Sequence, residues 1–335
     1  MPVRYDILIV TEMFDPHADA MILLLRDMGH NPFRVHTADF PVRNAVSMEL
    51  GKDGWEGVIH AGGVQLPIQD VRSVLWRRPA ACVLPDDLTS AEREFVRDEV
   101  THTLRGLWYS LDVYWMSFPP NIQKAGYKPE QLKRARNLGF DVPRTVITSD
   151  PDKVREFYDL CHGEVVYKAI SNGMYHETDP ATGESRGKAI YSTPIQGKHL
   201  SILENAHVSP AMFQEYIQKH SEFRVTIIGD DLFVAEIDSQ AQERTRYDWR
   251  HYDVPMLISE GMLPGEIADR CFELVRSYDL NFGALDLILT PDGRYVFLEI
   301  NPNGQWLWVQ SRLPDLKMKE AMAACLIRGK APIAV

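Results

Sequence analysis

Residues 281–308, NFGALDLILTPDGRYVFLEINPNGQWLW, are the stretch whose reading decides the fold. Residues 284–289 are apolar except for Asp286, and residues 295–300 are apolar or aromatic except for Glu299. Between them, Thr290-Pro291-Asp292-Gly293 has the chemistry of a tight turn: Pro presets the second position and Gly accepts a positive φ. The stretch therefore predicts a β-hairpin. Side chains alternate along a strand, so Phe297, Glu299 and Asn301 are expected on one face, and Leu298 and Ile300 on the other. Pairing Thr290 with Gly293 or with Tyr295 puts Asp286 on the Glu299 face, directly opposite or on a diagonal of roughly 7–8 Å. Two carboxylates that close on an apolar hairpin repel each other unless a cation sits between them. Two carboxylates and an amide oxygen are a hard-oxygen ligand set, suited to Mg²⁺ shared with a phosphate. For the hairpin alone, polar residues on a wet face are the plain alternative.

The rest of the composition narrows the class. A chain of 335 residues has room for two or three domains with cores of their own. Its 45% apolar and 25% charged residues are those of a globular protein. The net charge of −11 argues against a general nucleic-acid binder. Cys82, Cys161, Cys271 and Cys325 are far apart, so neither a zinc site nor a disulfide framework is indicated, and buried reduced thiols are expected. The opening MPVRYDILIVTE reads as a strand, without a signal segment or membrane span, which predicts a cytoplasmic protein.

The first third reads as an α/β unit. An apolar run at 5–10, a helical stretch at 18–28 closed by Gly29, and a short strand at 33–35 form a β-α-β opening. No GxGxxG follows the first strand, so a dinucleotide site is not indicated. Residues 46–50 and 55–60 suggest a hairpin, and 74–76 another strand, which ends in Arg77 and Arg78. Those two arginines are either an anion site at a strand end, surface cations or partners of the acidic helix. Thr89-Ser90 caps a long helix to about Ser110, with Ala91, Phe95, Val100, Leu104 and Leu107 as expected core positions.

The middle alternates helix and strand. Lys128-Pro129 opens a helix that stops at Gly139. The strand at 164–168 ends on Lys168, and a lysine in an apolar strand calls for an anion. Lys128 and Lys168 are separated so that they can converge on one polyphosphate. Residues 171–198 are polar and Gly-rich and predict a mobile loop that closes over phosphate or peptide. Within them GESRGK lacks the spacing and the Ser or Thr of a P-loop. A strand at 211–217 leads into two more, at 223–228 and 232–237. Arg224 lies among apolar neighbours there and is expected to meet an anion. Residues 238–253, DSQAQERTRYDWRHYD, gather arginines and carboxylates around Trp249, with Arg250 either facing a reacting phosphate or pairing with Asp248 or Asp253.

Taken in this order, the pieces resemble an ATP-grasp ligase: YKPEQLKRARNLGFDVPRTVITSDP at 127–151, VVYK ending at Lys168, FQEYI, FRVTIIGDDLFVAEIDSQ, DWR and LDLILTPDGRYVFLEINPNGQW. The chain is more closely similar to the graspetide synthetases, the ATP-grasp maturases of ribosomal peptides. Residues 74–99, VLWRRPAACVLPDDLTSAEREFVRDE, are similar to the pre-ATP-grasp segment of their actinobacterial branch. The resemblance covers nearly the whole chain, and six short motifs in register are specific where each alone is weak.

The resemblance implies an α/β (α+β) ATP-grasp fold with a pre-ATP-grasp domain at 1–122, a central subdomain at 123–212 that carries the 171–198 loop, and a C-terminal subdomain at 213–335. It implies ATP and Mg²⁺. Lys128 and Lys168 would hold phosphates; Gln214, Glu215, Tyr216 and Ile217 would form the adenine hinge; Lys219 or Glu222 would reach the ribose. Arg224 and Arg250 would serve the reacting phosphate and the acceptor carboxylate, and Asp286, Glu299 and Asn301 would bind the metal. The implied activity is ATP-dependent crosslinking of Asp or Glu side chains of a precursor peptide, leader plus core, to Ser, Thr or Lys, with no nucleic acid or membrane partner and with a homodimer as a fair expectation. His251 is either a general base or a solvent-exposed loop histidine. Two other readings stay open: a ligase acting on free amino acids or a protein terminus, and a non-catalytic ATP-binding regulator.

Overall fold

The computed structural model describes residues 5–52, 54–171, 173–179, 182–183, 185–251 and 254–329, and among these the chain forms five sheets. The first third contains β1 (Ile7–Thr11), α1 (Pro16–Asp27), β2 (Pro32–His36), β3 (Ala45–Gly51), β4 (Gly54–Ala61), β5 (Val64–Pro67), β6 (Ser73–Trp76), α2 (Ser90–Ser110) and β7 (Tyr114–Met116). β1, β2, β6 and β7 make a parallel sheet in the order β2-β1-β6-β7, while β3, β4 and β5 form an antiparallel meander. β1 is buried along its length, the signature of a strand covered on both faces. α1 starts where Asp15 accepts the His17 amide and Pro16 fits the first turn.

α2 begins with the expected Thr89 cap, in a reciprocal box with Glu92. Only Leu104, Leu107 and Trp108 of this helix are buried. Ala91 is exposed and Phe95 is 66% exposed, which corrects their placement in the core. Helical spacing marks an apolar stripe but not how far the protein body beneath it extends.

The middle contains α3 (Pro119–Ala125), α4 (Lys128–Asn137), β8 (Thr145–Thr148), α5 (Pro151–Leu160), β9 (Val165–Lys168), β10 (Met174–Thr178), β11 (Ser185–Ala189), β12 (Thr193–Pro194) and β13 (Ala211–Glu215). An antiparallel sheet runs β12-β9-β13-β8 and packs Val165 and Phe213 against Val154 and Phe157 of α5. β13 crosses the expected boundary after residue 212. The tract 171–198, expected as a loop, folds in its described part as an antiparallel ribbon, β10 with β11, followed by the edge strand β12. Glu184, inside the rejected phosphate-loop pattern, lies outside the described residues.

The last part contains β14 (Ser221–Ile228), β15 (Asp231–Ile237), β16 (Ile258–Glu260), α6 (Gly265–Arg276), β17 (Phe282–Leu289), β18 (Tyr295–Asn301), α7 (Leu307–Arg312) and α8 (Met318–Arg328). The antiparallel order is β16-β15-β14-β17-β18. Phe223, Val225 and Ile227 of β14 pack with Leu285, Leu287 and Cys271, Leu274 and Val275 of α6. Burying each large aliphatic or aromatic side chain contributes roughly 1.5–3 kcal/mol. The alternate residues of β14, Glu222, Arg224 and Thr226, are also buried but polar. A second cluster joins Ile228, Ala284, Met322 and Leu326 to Ile7, Ile9, Met21 and Leu25, so the parallel sheet and the C-terminal sheet share one core. Cys82, Cys161, Cys271 and Cys325 are free thiols, and Cys82 alone of them is only partly buried. No helix among the described residues is long and apolar enough to cross a membrane.

Candidate active site

The hairpin β17–β18 places its carboxylates through an irregularity. Near the turn, Leu289 pairs with Tyr295 and Leu287 with Phe297; beyond it, Asp286 pairs with Glu299 and Leu285 with Ile300. Leu298 is the extra residue of a β-bulge. Had the pairing continued unbroken, Leu298 would oppose Asp286 and Glu299 would turn to the face of Leu285, into the apolar core. The bulge re-aims Glu299 onto the face of Asp286. It also corrects the expected alternation: Phe297 is fully buried with Leu285 and Leu287, on the face away from Glu299.

Each carboxylate meets a cation from another element. Lys128, the first residue of α4, forms an ion pair with Glu299 Oε2. Asn301 Nδ2 donates to Glu299 Oε1 at 3.1 Å. Arg224 pairs with Asp286 in the β14–β17 register, and its Nε lies 3.2 Å from Asp286 Oδ1. This buried pair is not a hydrogen bond: Arg224 Nε and Nη1 and Asp286 Oδ1 all lack a partner. The guanidinium also lies 5.2 Å from the Trp249 ring centroid. Burial pushes the Asp286 carboxyl above the usual range; Arg224 opposes this and Glu299 reinforces it. Burial acts the same way on Glu299, but Lys128 and Arg250 outweigh it and hold that carboxyl well below the usual range.

These groups open onto a cleft of about 780 Å³ between the central and C-terminal sheets. Lys128, Lys168, Gln214, Glu215, Tyr216, Ile217, Lys219, Glu222, Arg250, Asp286 and Glu299 all line it. Arg224 and Asn301 do not line it and reach it through Asp286 and Glu299. Lys168 ends β9, and burial, then the nearby charge of Lys128, brings its ammonium down to about 8. Lys219 donates to Glu222 Oε1 at 2.9 Å and to the Tyr247 carbonyl at 3.2 Å.

The segment 214–217 leaves β13 along the cleft. Gln214 is buried; its Nε2 donates to Thr145 Oγ1 at 3.0 Å, and its Oε1 has no partner. The Glu215 and Tyr216 amides are taken by the carbonyls of Arg144 and Glu164. Strand pairing stops at Glu215, so Tyr216 and Ile217 are not in the sheet.

Arg250 is held by Asp248 through Nε at 2.8 Å and Nη2 at 2.6 Å, a bidentate pair. Its other considered partner, Asp253, lies outside the described residues. Asp248 also accepts the Ser192 amide at 2.8 Å, tying the tract after β11 to the cleft wall. The hydrogen bonds and charge of Asp248 raise the Arg250 guanidinium, while Arg250 holds the buried Asp248 down to about 2 against burial, which alone would raise it. The pairing with Asp248 is one of the two arrangements the sequence offered for Arg250, whereas Ser192 was not singled out. His251 stacks on Tyr191 with ring centroids 4.1 Å apart, and it does not line the cleft. Arg77, read as an anion site, a surface cation or a partner of the acidic helix, is none of these: it is 3% exposed and pairs with Asp15 and Asn303.

No curated protein matches the chain in sequence. A family model described as the MvdD pre-ATP grasp domain matches residues 6–123. Among solved structures, macrocyclase MdnC of Microcystis aeruginosa, bound with precursor peptide MdnA, is 30% identical over 96% of this chain and 99% of that chain, with a TM-score of 0.83. A Chryseobacterium gregarium RiPP-associated ATP-grasp ligase, in complex with ADP and a leader and core peptide, is 26% identical over 98% of both chains, with a TM-score of 0.86. Macrocyclase MdnB of Microcystis aeruginosa is 28% identical over 96% and 99%, with a TM-score of 0.78. With sequence identity spread along nearly the whole of both chains on a shared fold, the chain belongs to the ATP-grasp ligase family that contains these peptide macrocyclases.

Proposed function

We propose that this ligase phosphorylates Asp or Glu side chains of a ribosomal precursor peptide with ATP and joins them to Ser or Thr hydroxyls or Lys amines, releasing ADP and phosphate. The observation that carries the reading is one cleft that gathers two facing carboxylates and the cations Lys128, Lys168 and Arg250 from separate elements, with Arg224 paired to Asp286 behind it. The similar structures solved with a precursor peptide, and with ADP plus leader and core peptides, support the same partners here.

A carboxylate does not condense with an alcohol in water at a useful rate, so it must first become an acyl phosphate. That step brings two anions together. Lys168 and Lys128 are assigned to the phosphates, and Arg224 and Arg250 to the transferring group and the acceptor carboxylate. Residues 214–217 are assigned to the adenine through backbone groups, and Lys219 or Glu222 to the ribose. Asp286, Glu299 and Asn301 suit Mg²⁺: two carboxylates and an amide oxygen are a hard donor set, and Asp286 Oδ1 is buried without a hydrogen-bond partner. The ion would supply charge neutralisation at the phosphates. Holding the attacking group beside the activated carbonyl falls to leader and core binding, which turns a bimolecular step into a local one.

In this reading residues 1–122, 123–212 and 213–335 are the pre-ATP-grasp, central and C-terminal parts, the described part of the tract 171–198 covers the cleft, and the protein works in the cytoplasm, as a homodimer. The test is incubation with acidic precursor peptides, ATP and Mg²⁺. The expected result is ADP together with the loss of one water per crosslink by mass spectrometry. ADP formation on free amino acids, with no peptide dehydrated, would replace this reading with that of an amino-acid ligase.

A further inference from the structure

Among the described residues none that lines the cleft precedes Lys128, so the parallel-sheet body touches the chemistry only through what it holds. It holds residues 303–307, the segment that begins two positions after Asn301. Arg77, next after β6, donates from Nη1 to Asn303 Oδ1 at 2.9 Å and to the Gly304 carbonyl at 3.4 Å, and Asn303 Nδ2 donates back to the Arg77 carbonyl. Arg77 Nε lies 3.5 Å from Asp15 Oδ2. Asp15 also accepts from Thr11 Oγ1 at 2.7 Å and from the His17 amide at 3.0 Å. The His17 ring sits with Nδ1 3.5 Å from Asp15 Oδ1, while its Nε2 accepts the amides of Trp306 and Leu307, both at 3.3 Å. A ring nitrogen that accepts is unprotonated, so in the neutral ring the proton sits on Nδ1, toward Asp15.

Thr11, Asp15, His17, Arg77 and Trp306 are buried, and Asn303, Gly304 and Leu307 are half-buried. A buried ionic cluster is poor value as a stabiliser compared with apolar packing, and its best-attested use is to fix one arrangement. The segment it fixes is pressed against the hairpin: a Cβ on Gly304 would lie 2.8 Å from Ala284 Cβ and 3.1 Å from Asn301 Cβ. A shift of 303–307 is therefore passed to β17 and β18 beside Asp286 and Asn301.

We propose that Arg77, Asp15 and His17 are positioning residues, through which the N-terminal body sets the place of Glu299 and Asn301 by clamping residues 303–307. The proposal rests on the reading of Glu299 and Asn301 as metal ligands.

The test uses the full chain with ADP and Mn²⁺ as a paramagnetic probe, comparing wild type with Arg77→Lys, His17→Phe, His17→Gln, Asn303→Ala and Glu299→Gln. Arg77→Lys, His17→Phe and Asn303→Ala should each raise the Mn²⁺ dissociation constant about tenfold, the lower end of what loss of an outer-shell partner does. ADP affinity without metal should stay the same. His17→Gln, whose side-chain oxygen keeps an acceptor near the Nε2 position, should restore metal binding. Amide exchange at Trp306 and Leu307 should quicken in His17→Phe and not in His17→Gln. Where His17→Phe does not fold, Arg77→Lys and Asn303→Ala decide. Folded variants with wild-type metal binding and wild-type exchange, alongside a Glu299→Gln protein that has lost metal, would overturn the clamp. Unchanged Mn²⁺ binding in Glu299→Gln would instead overturn the ligand reading beneath it.

Discussion

Lys128 and Glu299 lie 171 positions apart in the chain and form an ion pair in the cleft. The same lysine is assigned to phosphate and the same carboxylate to metal, so loading the site must pull the pair apart and give each a new partner. Lys128→Met should weaken ATP binding about tenfold, or about 1.4 kcal/mol. It should also let the Glu299 carboxyl titrate higher, since Lys128 is the chief charge holding it down. Calorimetry that shows unchanged ATP affinity would count against the phosphate role.

Lys168 carries a pH dependence. Its ammonium is brought down to about 8 by burial and then by Lys128. In the free protein the unfolded chain binds the proton more tightly, so this group adds stability as pH rises from about 8 to the ordinary lysine value of about 10.4. Phosphate needs the charged form, so ATP affinity should fall above about pH 8 by up to tenfold per pH unit. Lys168→Ala should bind ATP more weakly at neutral pH and lose that slope in a calorimetric pH series.

The two facing carboxylates should separate activity from stability. Glu299→Gln is expected to abolish ATP-dependent dehydration of a cognate peptide and to leave the fold intact, because its side chain keeps 20% exposure. Asp286→Asn should abolish it too, but at a cost of about 3–5 kcal/mol, since Arg224 is left buried without its counter-charge. Mass spectrometry reads the first effect and denaturant unfolding the second. Normal water loss in Glu299→Gln would sink the metal assignment.

Asp248 joins Arg250 to Ser192. Asp248→Ala frees the guanidinium and releases the backbone after β11 together. Peptide dehydration should drop on the order of 10²-fold, the scale of a misplacement of about 1 Å. Limited proteolysis should cut near residues 190–193 faster than in wild type. Unaltered cleavage there would mean that Ser192 is held by other contacts.

Gln131 is a buried brace behind the site. Its Nε2 donates to the carbonyls of Ala125 and Ile300 at 2.6 and 2.9 Å, and its Oε1 accepts the Ile300 amide at 3.2 Å. Gln131→Leu leaves those backbone groups unpaired and should cost about 2–3 kcal/mol, by the usual penalty for orphaned buried polar groups. A midpoint of unfolding equal to wild type would show that water replaces the amide.

Much of the architecture was legible because its signals are local. Apolar runs, the Thr89 cap, Pro129 at the start of α4 and the Pro291–Gly293 turn act within a few residues, and each marks the element found there. The charged candidates stood out for the same reason: Lys168, Arg224, Asp286 and Glu299 interrupt otherwise apolar strands, which is costly unless each is partnered.

What the sequence determined by itself was thus the order of elements and the inventory of charges. The tertiary structure alone decided how they meet. The bulge at Leu298 has no residue signature, because any residue can be the extra one; it exists only in the pairing of β17 with β18, on whose far side Glu299 meets Lys128. The burial of Arg77 against Asn303, 226 positions away, arises only once the parallel sheet has packed on the C-terminal sheet. The exposure of Phe95 reflects where the body beneath α2 ends. Pairing, burial and packing over long separations are collective outcomes of the folded chain, and local chemistry does not encode them one residue at a time.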